Sequence, residues 1–139
     1  MAATTTLKLD ILTPRGPKRR GLDVTGVEIP GLFGELGVLP DHVPFVTPVV
    51  PGVIRFRDGE ESVRIAVGAG FLEIGADGRV AVLVERALLP SEIDVAAVRQ
   101  ALARVNAELA RQVDSIDAVE HRKLTDEQGW LEAQLRAAS

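Results

Sequence analysis

The sequence predicts an α+β chain: an N-terminal antiparallel β-sandwich followed by a C-terminal antiparallel helical hairpin. Three observations carry this. Apolar residues alternate with polar ones up to about residue 86; turn signals separate the alternating runs; and from about residue 91 the apolar period changes to that of a helix.

The β half comes first. Leu7, Leu9 and Ile11 alternate with polar neighbours, as do Val63, Ile65 and Val67, and then Val80, Val82 and Val84. Alternation puts one set of side chains on one face of a strand. The segments "TPRGPK", "RDGEE" and "GADG" break the runs. Asp58-Gly59 and Asp77-Gly78 suit hairpin turns, because glycine reaches positive φ cheaply. Several short β-branched runs with regular turns mean an antiparallel sandwich or barrel. Aromatics make up 4% of the chain, so its core is aliphatic. Glu73 and Glu85 fall at strand positions that face solvent.

The boundary lies in "RALLPSEID", where Pro90 stops the last strand. This divides the chain into residues 1–88 and 89–139. Val95, Val98, Leu102, Val105 and Leu109 then step by three and four along one helical stripe, with Ser91 or Asp94 as cap. A second helix is predicted from about 116 to 137, capped by Asp114 or Ser115. Its stripe of Ile116, Val119, Leu124, Leu131 and Leu135 is thinner, with Trp130 alongside and Gly129 inside. Glycine there costs about 1 kcal/mol against alanine. The first helix reads as the better built. Two thin stripes cover one seam, which implies an appendage whose position depends on what it leans against.

Composition excludes several functions. The net charge is −4, which gives no basic surplus for phosphates, so no nucleic-acid partner is expected. The basic cluster "RGPKRR" at 15–20 reads as a solvated loop. The chain has no cysteine, which removes disulfides, thiol catalysis and thiolate metal sites. No signal peptide and no membrane-spanning run is expected. No cofactor or metal is expected either.

The segment "GLFGELGVLPDHVPFVTP" at 31–48 carries the functional question. A phosphate loop requires a Gly-Lys-Ser/Thr end, yet Gly37 is followed by Val38-Leu39-Pro40. His42 beside Asp41 has the chemistry of an acid/base pair, but catalysis requires several convergent groups, and the other histidine, His121, lies on the hairpin. Recognition fits better. Pro40, Pro44 and Pro48 stiffen the segment, and Leu39, Val43, Phe45 and Val46 supply apolar anchors. The residues alone therefore point to a binding loop on a sandwich.

The run "GELGVLPDHVPFVTPVVPGVIRF" closely resembles the signature of the ATP synthase epsilon subunit. "VGAGFLEI", "VAVLVERA" and "SEIDVAAVRQALARV" resemble that family's later strands and first hairpin helix, in the same order. The resemblance implies a ten-stranded sandwich in the rotary central stalk, bound to the gamma subunit and the c-ring. It implies a non-catalytic subunit, peripheral to the inner membrane on the cytoplasmic side. Glu35 and His42 occupy the family positions near the polar loops of the c-ring, for contact and torque transmission. The hairpin would reach the alpha/beta catalytic head and block ATP hydrolysis through basic residues, with Arg122 and Lys123 as the local pair expected to act.

Two departures stand out. Nucleotide-binding relatives carry Ile-Asp-x-x-Arg-Ala on the hairpin; here Ile93 and Asp94 match, but Ala97 and Val98 replace the last two, and Leu88 replaces an upstream acid. Arg99 and Arg104 remain nearby, so any ATP site at Ile93, Asp94, Arg99 and Arg104 is degenerate and weak. Residues 91–139 also carry six Arg or Lys against nine Asp or Glu, an acidic balance for a segment expected to meet an acidic partner.

Overall fold

The computed structural model describes residues 6–40, 43–112 and 117–139. Ten strands form the N-terminal part: β1 (Leu7–Thr13), β2 (Gly16–Val24), β3 (Val27–Gly31), β4 (Gly34–Val38), β5 (Phe45–Val49), β6 (Gly52–Asp58), β7 (Glu61–Val67), β8 (Gly70–Ile74), β9 (Arg79–Val84) and β10 (Ala87–Leu88). A 3-10 turn (Pro90–Glu92) leads to α1 (Val95–Arg111) and α2 (Ala118–Ala138).

The strands pair in the order β10-β7-β6-β3-β5-β8-β9-β1-β2, with β4 added to β3. β3 joins the two halves: Val27 and Glu28 pair with β6, and Gly31 pairs with β5. The halves close on one aliphatic core. Leu9, Ile11, Ile29, Val38, Ile54, Ile65, Leu72, Val80 and Val82 are all fully buried. Each predicted alternating run places its apolar set there. The ladder is antiparallel except between β1 and β9, which run parallel from Lys8/Arg79 to Leu12/Leu83. A long-range parallel pair leaves no local turn signal, so alternation alone does not reveal it. Both predicted hairpin glycines sit at positive φ, 64° at Gly59 and 79° at Gly78.

The hairpin differs from expectation in its anchoring. Asp94 caps α1, accepting from the Ala97 amide at 3.1 Å. Asp117 caps α2, accepting from Glu120 N at 3.0 Å. The expected caps Asp114 and Ser115, and Ile116, lie outside the described residues. Val119 is 67% exposed, so it does not belong to a buried stripe. The helices fold back on each other, tied by Gln128 Nε2 donating to Asn106 Oδ1 at 2.8 Å.

The thinner helix is the one that seats the hairpin. Trp130, Leu131, Ala133, Gln134 and Ala137 of α2 are buried, whereas α1 buries only Val98. Trp130, Ala133 and Ala137 pack on Val53 and Ala66, cross-strand partners on the outer face of β6 and β7. Small residues make this possible, since alanines let a helix backbone approach a sheet closely. Gly129 belongs to the same approach: a Cβ there would stand 3.3 Å from Pro51 Cβ. A residue that weakens the helix on propensity thus clears space for its seat.

The linker between the two parts is pinned. Glu92 N donates to Leu89 O at 2.9 Å, and Leu89 N donates to Glu92 Oε1 at 2.8 Å. Lys18 Nζ of β2 reaches both Glu92 carboxylate oxygens at 2.8 Å.

Two outcomes follow from these contacts. Any side chain at Gly70 would run into the Leu83 carbonyl oxygen, so Gly70→Ala lowers stability by about 1–3 kcal/mol in chemical denaturation. The Lys18 ammonium and the Leu89 amide hold the Glu92 carboxyl below its ordinary value of 4.5. A group with a depressed folded pKa contributes stability above its unfolded pKa and loses it as pH falls through the folded one. The linker tie is therefore complete at neutral pH and lost in acid below that ordinary value. Lys18→Met raises the Glu92 pKa in a carboxyl NMR titration.

Candidate interaction surfaces

The 31–48 segment is mostly strand rather than loop. Gly31 pairs with Gly34, leaving Leu32 and Phe33 as a two-residue turn at one end of the β3–β4 hairpin. Gly34 takes φ 119°, a conformation that other residues rarely adopt. The turn pushes two large apolar side chains into solvent: Leu32 is 57% exposed and Phe33 fully so. Phe33 has no core to reach, and a fully exposed phenylalanine on a two-residue turn suits contact with a partner.

Glu35 stands one residue beyond the turn on β4, opposite Pro30. Its carboxylate accepts from Arg55 Nη1 at 3.4 Å, with both side chains about half exposed. Leu39 lies at the other end of β4, and it and Val43 are exposed. His42 and Asp41 lie outside the described residues. Pro48 is part of β5, facing Phe71 of β8.

That Pro48–Phe71 pair begins a second surface. Phe71 pairs with Leu83 of β9, and Leu83 with Leu12 of β1. Register partners share a sheet face, so Pro48, Phe71, Leu83 and Leu12 form an apolar row across four strands. It faces away from the core, with Phe71 57% and Leu83 45% exposed. The next row, Val46, Glu73, Ala81 and Asp10, mixes apolar and acidic residues. A shallow hollow of about 370 Å³ lies at the end of the apolar row, between Leu12, Pro14, Gly70 and Leu83. The sequence carried a signal for this surface. In "GFLEI" Leu72 and Ile74 take the inner phase, so Phe71 is an aromatic in the outer phase.

The hairpin residues expected to act are dispersed. Ile93 packs against the Val53–Ala66–Trp130 cluster. Asp94 uses Oδ1 to cap α1. Arg99 and Arg104 are exposed on α1, Arg104 beside a groove of about 440 Å³ shared with Val105, Glu108 and Leu124. Arg122, Lys123 and His121 are exposed on the N-terminal half of α2.

Sequence reasoning missed one group. Arg86, between β9 and β10, lays its guanidinium over the Trp130 ring, 4.8 Å from the centroid. The same guanidinium donates to Glu127 Oε2 at 3.0 Å and lies 3.7 Å from Glu85. Arg86 and Glu127 stand 41 residues apart on different kinds of element, so no local pattern pairs them.

Among the described residues no cluster of three His, Cys, Asp or Glu side chains is placed to hold a metal ion. No helix there is long and apolar enough to cross a membrane. The side chains gathered on these surfaces can bind through apolar contact and ion pairing.

Comparison with known proteins places the chain. Residues 6–90 match the model of the ATP synthase delta/epsilon chain β-sandwich domain. An ATP synthase epsilon chain of Alkalihalophilus pseudofirmus is 38% identical over 81% of this chain and 84% of its own length. The epsilon chain of Magnetococcus marinus is 34% identical over 95% of this chain and 93% of its own, which takes in the hairpin. The same fold occurs in a chain of the Euglena gracilis mitochondrial ATP synthase, with TM-score 0.81 and 22% identity over 99% of this chain and 84% of that one. Strands, hairpin and sequence agree: this chain belongs to the ATP synthase epsilon-chain family.

Proposed function

We propose that this chain is a non-catalytic rotor subunit that couples the catalytic head of an ATP synthase to its c-ring, held at the membrane through the complex. The observation that carries the reading is the apolar surface displayed on a rigid sandwich, at the Leu32–Phe33 turn and along the Pro48–Phe71–Leu83–Leu12 row. A backbone fixed by a ten-stranded ladder loses little entropy when it binds, and a stiff body is what transmits torque. Glu35 and His42 belong to the segment we assign to the c-ring. The outer apolar row, which the hairpin leaves uncovered, is our seat for the gamma subunit.

The sandwich, residues 1–88, is the coupling body, and the hairpin, residues 89–139, is a brake on ATP hydrolysis. Two features support the brake. Its seat is one small cluster at the C-terminal half of α2. Arg122 and Lys123 are exposed in the docked state and available to the acidic face of the alpha/beta head. Nucleotide binding at Ile93, Asp94, Arg99 and Arg104 is the weaker part of the reading, because the Asp94 carboxylate is engaged by the Ala97 amide and Ile93 is packed against the Trp130 cluster.

Add-back to a cognate catalytic head depleted of this chain tests the brake. With binding of both forms verified, the full chain slows ATP hydrolysis and residues 1–88 do not. Equal rates with either form would remove the brake from the reading. Arg122→Glu with Lys123→Glu is expected to weaken inhibition without weakening assembly. At the tip, Phe33→Ser leaves thermal stability within about 0.5 kcal/mol, as expected of an exposed site, and lowers proton pumping per ATP hydrolysed in reconstituted vesicles. Unchanged coupling would place the ring contact elsewhere.

A further inference from the structure

We propose that Arg86 is the clasp that sets how much of the time the hairpin stays on the sandwich. It deepens the reading of the hairpin as a movable brake, and for its consequence it rests on that reading. The docking equilibrium itself belongs to the isolated chain.

Three features point to Arg86. First, its guanidinium binds α2 in two ways at once, over the Trp130 ring at 4.8 Å and to Glu127 Oε2 at 3.0 Å. Those two residues are three positions apart, one turn of the same helix, so one planar group grips a helix face. Second, the rest of the seat is small. Apart from Trp130, the fully buried contact is made by Ala133 and Ala137 on Val53 and Ala66, with Leu88 and Ile93 partly buried beside it. Alanines bury little area, so beyond burial of the Trp130 ring itself, the cation–π contact and the ion pair are the part of the seat that a single residue adds. Third, the clasp lies at the edge of the seat, with the Arg86 and Glu127 side chains 39% and 40% exposed. Ions and partner groups can reach it, and salt screens an exposed pair. Glu85 is the other charge facing Arg86, at 3.7 Å, and it remains with the sandwich when α2 leaves. Arg86 then keeps a partner in the undocked state, which lowers the cost of release.

The Lys18–Glu92 tie has the complementary role. It fixes the linker to β2 on the sandwich side of α1, so α1 and α2 leave as a unit about a pinned base. Arg86 belongs to the sandwich and both its α2 partners to the hairpin. The clasp therefore opens completely when the hairpin moves, whereas the linker tie survives.

The absence of cysteine makes the equilibrium measurable. Ala66 is fully buried under α2 on the outer face of the sandwich, so a thiol introduced by Ala66→Cys reacts only when the hairpin lifts. Val82→Cys, in the sandwich core, reports global unfolding. In the regime where closing outpaces labelling, the rate of thiol labelling is proportional to the open fraction. On the Ala66→Cys background, Arg86→Met is expected to speed labelling about tenfold, through loss of both the cation–π contact and the ion pair. Glu127→Gln is expected to speed it about threefold, since it removes the ion pair alone. Arg86→Lys falls between wild type and Arg86→Met, because an ammonium keeps the charge but not the flat stacking surface. Added salt accelerates wild type and leaves Arg86→Met unchanged. Labelling at Val82→Cys stays slow throughout.

Unaltered labelling in both Arg86→Met and Glu127→Gln would overturn the clasp. Equal acceleration at Val82→Cys would overturn it too, since the effect would then be loosening of the whole fold. Should Arg86→Met fail to fold, Glu127→Gln decides, because it alters only a half-exposed position on α2. If clasp variants free the hairpin while hydrolysis by the complex is unaffected, the brake is wrong and the clasp stands.

Discussion

The placement of both helices depends on one seam, where Trp130, Ala133 and Ala137 meet Val53 and Ala66. α1 has no comparable seat, since only Val98 of its stripe is buried, so it is held mainly through α2. The energetics of the seam are unequal. A buried tryptophan removes 150–250 Å² from water, worth about 4–6 kcal/mol at most, while each alanine methyl contributes about 0.8 kcal/mol. Trp130 is thus the dominant contact, and Arg86 lies over its ring. The main apolar anchor of the hairpin and a partly exposed cation therefore coincide at one place in the chain.

The sandwich has the opposite character. Its contacts are distributed over many fully buried aliphatic side chains, from Leu9 on β1 to Val82 on β9, and no single one positions the rest. The parallel pairing of β1 with β9 brings the first strand against one of the last, so the sandwich is closed by residues far apart in sequence. Lys8 pairs with Asp23 at 2.8 Å on the exposed β1–β2 edge, where such a pair is worth little. The body is stiff because its core is cooperative. The seat of the hairpin, by contrast, is local.

Legibility in the sequence followed the range of the interactions. Alternation identified the buried sets on β1, β7 and β9, because side-chain direction along a strand is a local property. The helical stripe identified α1 for the same reason. What the stripes did not reveal is which helix seats the hairpin. Apolar periodicity favoured α1, but α2 takes the seat through alanines and a glycine, and small residues score poorly on hydrophobicity while permitting the closest approach. The 31–48 stretch misled in a similar way. Its glycines and prolines suggested a loop, but Pro48 sits within β5 and Gly31 and Gly34 close a tight hairpin around Leu32 and Phe33. The Arg86 contacts with Trp130 and Glu127 needed the fold itself, since nothing local links β9–β10 to α2.

The two outer faces of the sheet are treated differently. On β6 and β7 the apolar pair Val53–Ala66 is covered by the chain's own helix, and the neighbouring pair, Arg55 and Arg64, is charged and partly open. On β5, β8, β9 and β1 the row of Pro48, Phe71, Leu83 and Leu12 has no cover from the hairpin. A chain that folded only for its own stability would place polar residues in that outer phase, as it does with Glu73 and Asp10 one row away. Phe71 and Leu83 are apolar in the phase that costs solubility, so the row is explained by burial against something else. On the covered face Ala66, Ala133 and Ala137 are small, which lets α2 approach the sheet closely around the single large anchor Trp130. The uncovered face carries larger side chains, Phe71 and Leu83, in the outer phase. That difference across one sheet separates a face packed by the chain's own helix from one that stays apolar and open.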